Sequence, residues 1–306
     1  MRNIQYFDIH SHLNDPRFDA DLDATLLRMR EANVASIVVG TDHTMSERAI
    51  ALAEVHPDIW ATIGVHPTDN HTEIFDDAYY TKLAAHPRVV AIGECGLDYY
   101  WPAQNLQNQR IASPAAVGAL EQDKSSSSLQ HSSLPSRTAS DFASFVIQSM
   151  EDEKKRQREL FEKQIAIALE LKKPLMIHGR PTKGTMDAYE DIISILKKHP
   201  GIRGNVHFFV GNIAIAKQFC ELGFTMSFTG VLTFTHEYDE VVEFLPLESI
   251  MSETDAPYVA PAPYRGKRNE PAYVVETVTQ LARIRNEREE VIAPALLRNA
   301  ERLFGI

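Results

Sequence analysis

The chain has little cysteine and lacks a long apolar run. Its 306 residues include only two cysteines, Cys95 and Cys220, which are far apart in the sequence. A disulfide scaffold is therefore not expected, and a reducing cytoplasm is the predicted location. We find neither an apolar stretch long enough to span a membrane nor a signal peptide, so no membrane partner is predicted.

Positive charge is also scarce. The sequence has 31 Lys and Arg against 42 Asp and Glu, which gives a formal net charge of -11 at pH 7. This balance argues against a histone-like or polybasic nucleic-acid binder. It does not argue against an enzyme in which bound metal ions contact the phosphates of a nucleic acid.

What the sequence does contain is an alternation of two patterns. Amphipathic stretches typical of helices occur at Asp21–Asn33, Ser46–His56, Thr185–His199 and Asn212–Leu222. Short apolar, β-branched runs typical of strands lie between such stretches, and they are Ile4–His10, Ala35–Gly40, Trp60–His66, Val89–Glu94, Pro174–His178, Gly204–Phe208, Phe224–Thr229 and Ser249–Asp255. The alternation predicts an α/β fold, a (β/α)8 TIM barrel formed as a single domain by residues 1–306.

The connection after the fourth predicted strand is much longer than the others. We therefore predict an insertion at about residues 103–150. Residues 121–140 are rich in serine and too polar to form a core, and we interpret them as having no catalytic role. A helical pattern resumes near Ser140 and is clear from Glu151 to Lys173, with an apolar stripe predicted to pack in the core: Leu160, Phe161, Ile165, Ala168 and Leu169.

Histidines and carboxylates collect at the ends of the predicted strands. In a TIM barrel the C-terminal ends of the strands form the active site. The candidates are His10 and His12 after strand one, His66 after strand three, Glu94 after strand four, His178 after strand five, His207 after strand six and Asp255 after strand eight. Any one of these histidines taken alone is typical of a hydrogen-bonded core residue, but the joint pattern indicates a metal centre.

The pair His10 and His12 shows how such a centre would form. Alternate residues of a strand point to the same side, so the two imidazoles converge. Four histidines and two carboxylates exceed what one tetrahedral ion needs, and they suit two divalent ions bridged by a carboxylate. The mixture of ligand types leaves Mg²⁺, Mn²⁺ and Zn²⁺ open.

Several short motifs make a specific resemblance. The segments FDIHSHL, TIGVHP, IGECGLDYY, KPLMIHGR, ETDAPY and APAPYRGKRNEPAYV resemble those of the TatD family of metal-dependent deoxyribonucleases, within the amidohydrolase superfamily. The resemblance covers residues 4–305 apart from the insertion. It implies an enzyme that hydrolyses the phosphodiester bonds of DNA, commonly as a 3′→5′ exonuclease, with a water activated by two metal ions.

The resemblance also implies a role for each site residue. The metal ligands would be His10, His12 and Asp255 for one ion and His178 and His207 for the other, with Glu94 bridging. Asp255 would in addition act as the general base, and His66 would lie beside the scissile phosphate as a donor or proton shuttle. The neighbouring Asp8 is expected to hold a ligand histidine in place.

A basic loop follows Asp255. It contains Arg265, Lys267 and Arg268, and Arg180 follows His178. A charge run of this kind is usually a solvated surface, but its place after a metal ligand favours binding of substrate phosphates.

Three functions stay open at this point. Besides the deoxyribonuclease, which takes single-stranded DNA or 3′ ends, the same two ions could hydrolyse another ester or amide, for example in a D-aminoacyl-tRNA deacylase. A scaffold that has lost its chemistry is disfavoured because all six ligands are present. Gly179 in IHGR and Val210 in HFFVG depart from the family pattern, which puts the substrate preference in doubt. A monomer is expected.

Overall fold

The computed structural model describes residues 3–68, 74–104 and 139–306. All eight predicted strands are present, and they form one parallel sheet in which each strand pairs with the next in sequence. The strands are β1 Tyr6–Ser11, β2 Val34–Val39, β3 Ile59–Ile63, β4 Val89–Asp98, β5 Leu175–Arg180, β6 Gly204–Val206, β7 Thr225–Phe228 and β8 Ile250–Ser252.

The sheet curls until its first and last strands meet. Ser11 forms a parallel bridge with Ala256, directly after β8. Two backbone hydrogen bonds support it, from Asp255 N to His10 O at 2.9 Å and from His12 N to Ala256 O at 2.7 Å. The predicted (β/α)8 barrel is therefore confirmed, and its closure brings the metal-ligand candidates of β1 beside those that follow β8.

Helices cover the outside of the sheet. They are α1 Leu22–Glu31, α2 His43–Val55, α3 Asp77–Ala84, α4 Ala139–Leu171, α5 Asp187–Leu196, α6 Ile213–Glu221, α7 Asp239–Phe244, α8 Val274–Ile284 and α9 Glu289–Phe304. Polar side chains fix several of their starts: Asp42 accepts a hydrogen bond from Met45 N, and Asn212 accepts one from Ile215 N. The four predicted amphipathic stretches agree with α1, α2, α5 and α6 within three residues at each end.

Helix α4 begins at Ala139, within the segment predicted as an insertion, and continues to Leu171. Its stripe of Phe161, Ile165 and Ala168 is fully buried, as predicted. The prediction was wrong for Leu169, which is 40% exposed, because it lies one residue and about 100° around the helix from Ala168. Residues 105–138, which contain most of the predicted serine-rich segment, lie outside the described residues.

Two glutamines attach α4 to the active-site end of the barrel. Gln157 accepts a hydrogen bond from Asp98 N at 2.8 Å and donates one to Asp98 O at 2.9 Å. Gln164 makes the same pair of contacts with Val65, at 2.9 and 3.0 Å. Each amide thus satisfies both backbone groups of the residue that it contacts. In this way α4 holds the carboxyl end of β4 and the loop after β3.

Candidate metal centre and active site

The first group of converging side chains comes from the two ends of the chain. The distance from His10 Nε2 to His12 Nε2 is 3.2 Å, and Asp255 Oδ1 lies 3.4 Å from His12 Nε2 and 3.8 Å from His10 Nε2. The three ligand atoms could hold one metal ion. Asp255 reaches this position with a left-handed backbone, at a φ of 55°, directly after the end of β8.

A second group surrounds Glu94, near the middle of β4. Its Oε1 lies 2.8 Å from His207 Nε2 and 2.9 Å from His178 Nδ1, and these two nitrogens are 3.3 Å apart. Its Oε2 lies 3.4 Å from His10 Nε2, in the first group. The carboxylate therefore lies between both groups, and all six predicted ligands come together. The remaining histidine, His66, places its Nε2 3.5 Å from Glu94 Oε1.

These distances fit a pair of ions. Two ligands bound to one tetrahedral zinc at 2.0–2.1 Å are about 3.3 Å apart, and two adjacent ligands of an octahedral ion at that distance are about 3.0 Å apart. The nitrogen pairs His10–His12 and His178–His207 are separated by 3.2 and 3.3 Å. Both groups are thus arranged at the spacing that a shared cation imposes.

Comparison with known proteins identifies the fold family. A model of the family described as "TatD related DNase" matches residues 7–113 and 144–305. The chain belongs to this TatD family. The predicted resemblance is confirmed, and the protein is a metal-dependent hydrolase.

Individual relatives match the chain over almost its whole length. It is 34% identical to the "Uncharacterized metal-dependent hydrolase YabD" of Bacillus subtilis, over 98% of this chain and 99% of the relative. It is 30% identical to the "3'-5' ssDNA/RNA exonuclease TatD" of Erwinia tasmaniensis, over 98% of this chain and 100% of the relative. The crystal structure of YjjV, a TatD homologue from Escherichia coli, is similar with a TM-score of 0.74 and 26% identity, covering 99% of each chain.

Two further carboxylates face candidate ligand histidines, and neither of them was assigned a role from the sequence. Asp98 Oδ2 lies 3.1 Å from His178 Nε2, and Glu253 Oε1 lies 3.4 Å from His207 Nδ1. Nδ1 of His178 faces Glu94, so when this ring is neutral a hydrogen bond from Nε2–H to Asp98 would leave the lone pair on Nδ1. The sequence signal for both was present: Asp98 lies in GLDYY, and Glu253 lies two residues before Asp255.

Glu253 is fully buried and its contacts extend away from the site. It accepts hydrogen bonds from Phe208 N at 2.8 Å and from Ser227 Oγ at 2.6 Å. The Ser227 hydroxyl also lies 2.8 Å from the side-chain amide of Asn205. A buried carboxylate with several polar partners is rigidly placed, so the imidazole that it faces has little freedom to turn.

The sequence predicts that Asp8 holds a ligand histidine in place, and in the structure it contacts the backbone of His10 rather than its ring. Its Oδ1 accepts hydrogen bonds from the backbone N of His10 at 3.2 Å and of Thr254 at 2.9 Å, and its Oδ2 accepts one from Thr254 Oγ1 at 2.6 Å. Asp8 therefore joins the backbone of β1 to the segment after β8. It sets the distance between the ligand-bearing segments rather than the orientation of a ring.

The charge state of Glu94 follows from its surroundings. Burial alone would raise the pKa of this carboxyl, but the neighbouring imidazoles of His207, His66 and His10 lower the pKa well below its usual value. These neighbours therefore favour the ionised form of Glu94. An ionised carboxylate is the form that binds a cation.

The pKa values of His178 and His207 shift in the opposite direction. Burial alone would lower the pKa of His178, but its hydrogen bonds with Asp98 and Glu94 raise it to about 9. For His207, burial is likewise outweighed by Glu94 and Glu253, and its pKa lies well above the usual value. A cation that binds here must displace protons, so its affinity depends on pH.

The predicted phosphate-binding residues differ in their contacts and in their exposure. Arg268 donates hydrogen bonds to both carboxylate oxygens of Asp21, each at 2.7 Å. This pair joins the loop after β8 to the start of α1, so the structure places Arg268 in a structural ion pair and not at the metal centre. Arg265 and Lys267 are exposed on the same loop, and Arg265 Cζ lies 3.9 Å from the centre of the Phe234 ring.

Two departures from the family pattern are neighbours in space. A Cβ at Gly179 would lie 2.4 Å from the ring of Tyr189, so that ring occupies the room that a larger residue would need. The hydroxyl of Tyr189 accepts a hydrogen bond from Val210 N at 3.1 Å. The residues at 179 and 210 are therefore linked through one buried tyrosine of α5.

Among the described residues, no helix has the length and apolar character needed to cross a membrane. The cytoplasmic location and the monomeric state stay predictions.

Proposed function

We propose that the protein is a 3′→5′ exonuclease that hydrolyses phosphodiester bonds of single-stranded DNA with two divalent metal ions. The observation that carries the proposal is the position of Glu94, whose two oxygens face two separate groups of imidazole nitrogens. The name of the Erwinia tasmaniensis relative, "3'-5' ssDNA/RNA exonuclease TatD", supports the polarity and the substrate.

The ligands divide between the two ions as the family resemblance implies. His10, His12 and Asp255 would hold one ion, His178 and His207 would hold the other, and Glu94 would contact both. Two such cations would lower the pKa of a water and offset the negative charge of the scissile phosphate. Mg²⁺, Mn²⁺ and Zn²⁺ are the candidates, and the imidazole-rich donor set favours Mn²⁺ or Zn²⁺.

We assign proton transfer and the contacts with phosphate groups to side chains of the protein. Asp255 is the ligand carboxylate that lies nearest the mouth of the barrel, with 14% of its side chain exposed, and it is placed to accept the proton of the attacking water. His66 Nδ1 accepts a hydrogen bond from Thr68 N at 3.3 Å, which leaves the proton on Nε2, the nitrogen on the side of Glu94. His66 can thus donate to a phosphate oxygen, with Arg265 and Lys267 binding phosphates farther along the strand.

The test is hydrolysis by metal-stripped protein to which Mg²⁺, Mn²⁺ or Zn²⁺ is returned. Single-stranded DNA labelled at its 5′ end should give a ladder that shortens from the 3′ end. Glu94→Gln and Asp255→Asn should each abolish it, since one removes the shared ligand and the other the proton acceptor. A protein that binds two ions but leaves DNA intact would contradict the nuclease, and aminoacyl-tRNA esters and small amides would then be the substrates to assay.

A further inference from the structure

Three aromatic residues at the active-site end of the barrel are about half exposed, and the guanidinium group of an arginine lies over each ring. Trp101 is 46% exposed, Phe234 45% and Tyr258 44%. Their arginines are Arg180, Arg265 and Arg17 respectively. Large exposed aromatic faces beside cationic groups are typical of surfaces that bind single-stranded nucleic acid, because every base can stack on them.

The three pairs differ in what their arginines already contact. Arg17 forms an ion pair with Asp15 at 2.6 Å, and Arg265 donates a hydrogen bond to Ala260 O at 2.7 Å. For Arg180, no ion pair or side-chain hydrogen bond occurs within the described part of the chain. Its guanidinium instead lies 4.3 Å from the centre of the Tyr100 ring and 5.0 Å from that of Trp101. Arg180 is thus held by aromatic faces and keeps its charge available.

The carboxylate of Asp98 links Tyr100 and Trp101 to the proposed metal centre. Asp98 Oδ1 accepts hydrogen bonds from the backbone N of Tyr100 and of Trp101, each at 3.0 Å. Its other oxygen contacts the metal-ligand candidate His178 at 3.1 Å. Arg180 lies two residues after His178 on β5, and alternation along the strand puts both side chains on the same side. The aromatic pair therefore has a defined position beside the proposed scissile phosphate.

We infer that Tyr100, Trp101 and Arg180 form a stacking site for a nucleobase of a single strand next to the cleaved bond. The inference rests on the proposed nuclease function and adds how the strand is held. The chain carries a net charge of -11, so general attraction of a polyanion contributes little to its affinity. Stacking supplies affinity without reading the sequence, which suits an enzyme that removes nucleotides one after another.

The chain offers a matched pair of reporters, because Trp101 and Trp60 are its only tryptophans. Trp60 is the second residue of β3, at the opposite end of the barrel, where its ring lies 5.6 Å from Phe7 and 4.9 Å from the Arg88 guanidinium. Trp60→Phe leaves Trp101 as the sole tryptophan, and Trp101→Phe leaves Trp60.

The experiment begins with the metal-stripped single-tryptophan proteins, titrated with single-stranded DNA and RNA. The strand should quench the emission of Trp60→Phe in a saturable way and leave that of Trp101→Phe unchanged. A strand with abasic sites at its last two 3′ positions should quench less. In the metal-loaded protein, the wild type should prefer the intact over the abasic strand by roughly tenfold in kcat/KM, and Trp101→Ala should bring this ratio towards one.

The outcomes separate this inference from the nuclease proposal. Quenching of Trp101 by a strand that the loaded protein does not cut would uphold the stacking site and overturn the nuclease. Cutting with no quenching of Trp101, and with the same ratio in wild type and Trp101→Ala, would uphold the nuclease and overturn the stacking site. Equal quenching of Trp101 and Trp60 would also overturn the stacking site, because it would show that the strand does not bind specifically beside Trp101.

Discussion

The sharpest prediction concerns Asp98→Asn, a change of one oxygen to an amide nitrogen. The asparagine Oδ1 can still accept the two backbone hydrogen bonds from Tyr100 and Trp101. Its NH₂ group then faces His178 Nε2, 3.1 Å away, and an amide hydrogen cannot face an imidazole N–H. His178 must move its proton to Nδ1, the nitrogen that faces Glu94 and the proposed ion.

The expected result is selective loss of one metal ion. Removal of a carboxylate that orients a ligand histidine typically costs 10- to 100-fold in metal affinity, which is about 1.4–2.7 kcal/mol. The group of His10, His12 and Asp255 does not include His178, so its ion should bind as in the wild type. Isothermal titration of metal-stripped protein with Mn²⁺ and Zn²⁺ should therefore resolve one unchanged and one weakened site.

A matched control is Asp58→Asn. Asp58 is also a buried carboxylate, but it pairs with Arg30 at 2.9 Å and lies just before β3, at the other end of the barrel. It should leave both metal affinities unchanged, and circular dichroism should show that both variants are folded. Two ions bound to Asp98→Asn with wild-type affinities would refute the argument that this carboxylate sets the tautomer of His178.

Three further predictions test separate parts of the structure. Gln164→Leu should lower the free energy of unfolding by about 2–4 kcal/mol in urea titrations, because Val65 N and O lose their partner in a buried position, and a change under 1 kcal/mol would contradict this role. The affinity for an ion held by His178 and His207 should rise at least about tenfold per pH unit between about pH 7 and 9, since both rings have raised pKa values and must lose protons to bind it; titrations that show equal affinity at both ends would exclude the competition. Arg268→Ala should cost about 0.5–1 kcal/mol of stability through its pair with Asp21 and leave the KM for single-stranded DNA within twofold, whereas a large rise in KM would restore Arg268 as a phosphate ligand.

Much of the candidate site was predictable because, in a barrel, residues at the ends of different strands lie close together in space. Strand ends can be read from apolar runs, and all strand ends of a parallel barrel meet at one rim. His178 and His207 are 29 residues apart in the chain, yet their ring nitrogens are 3.3 Å apart. The candidate residues could thus be found at the ends of the predicted strands, and the family resemblance then implied which of them are ligands.

What could not be predicted depends on contacts that no local pattern encodes. A charge run does not reveal that Arg268 is bound to Asp21, which is 247 residues away in the sequence. Asp98 reaches His178 because β4 continues four residues past Glu94 and pairs with β5 up to Arg180. Apolar runs in the sequence do not specify this register. The sequence likewise does not show which groups face the outer nitrogen of a histidine, so it does not give the orientation of that ring.

The closure of the barrel has a consequence for when the protein becomes active during its synthesis. His10 and His12 leave the ribosome early, but Asp255 joins them only through the contacts of the segment after β8 with the backbone of β1. A chain that stops before that segment contains five of the six candidate ligands and lacks Asp255, which the closing contacts bring to His10 and His12. The proposed metal centre is therefore complete only in a chain whose synthesis has passed residue 255.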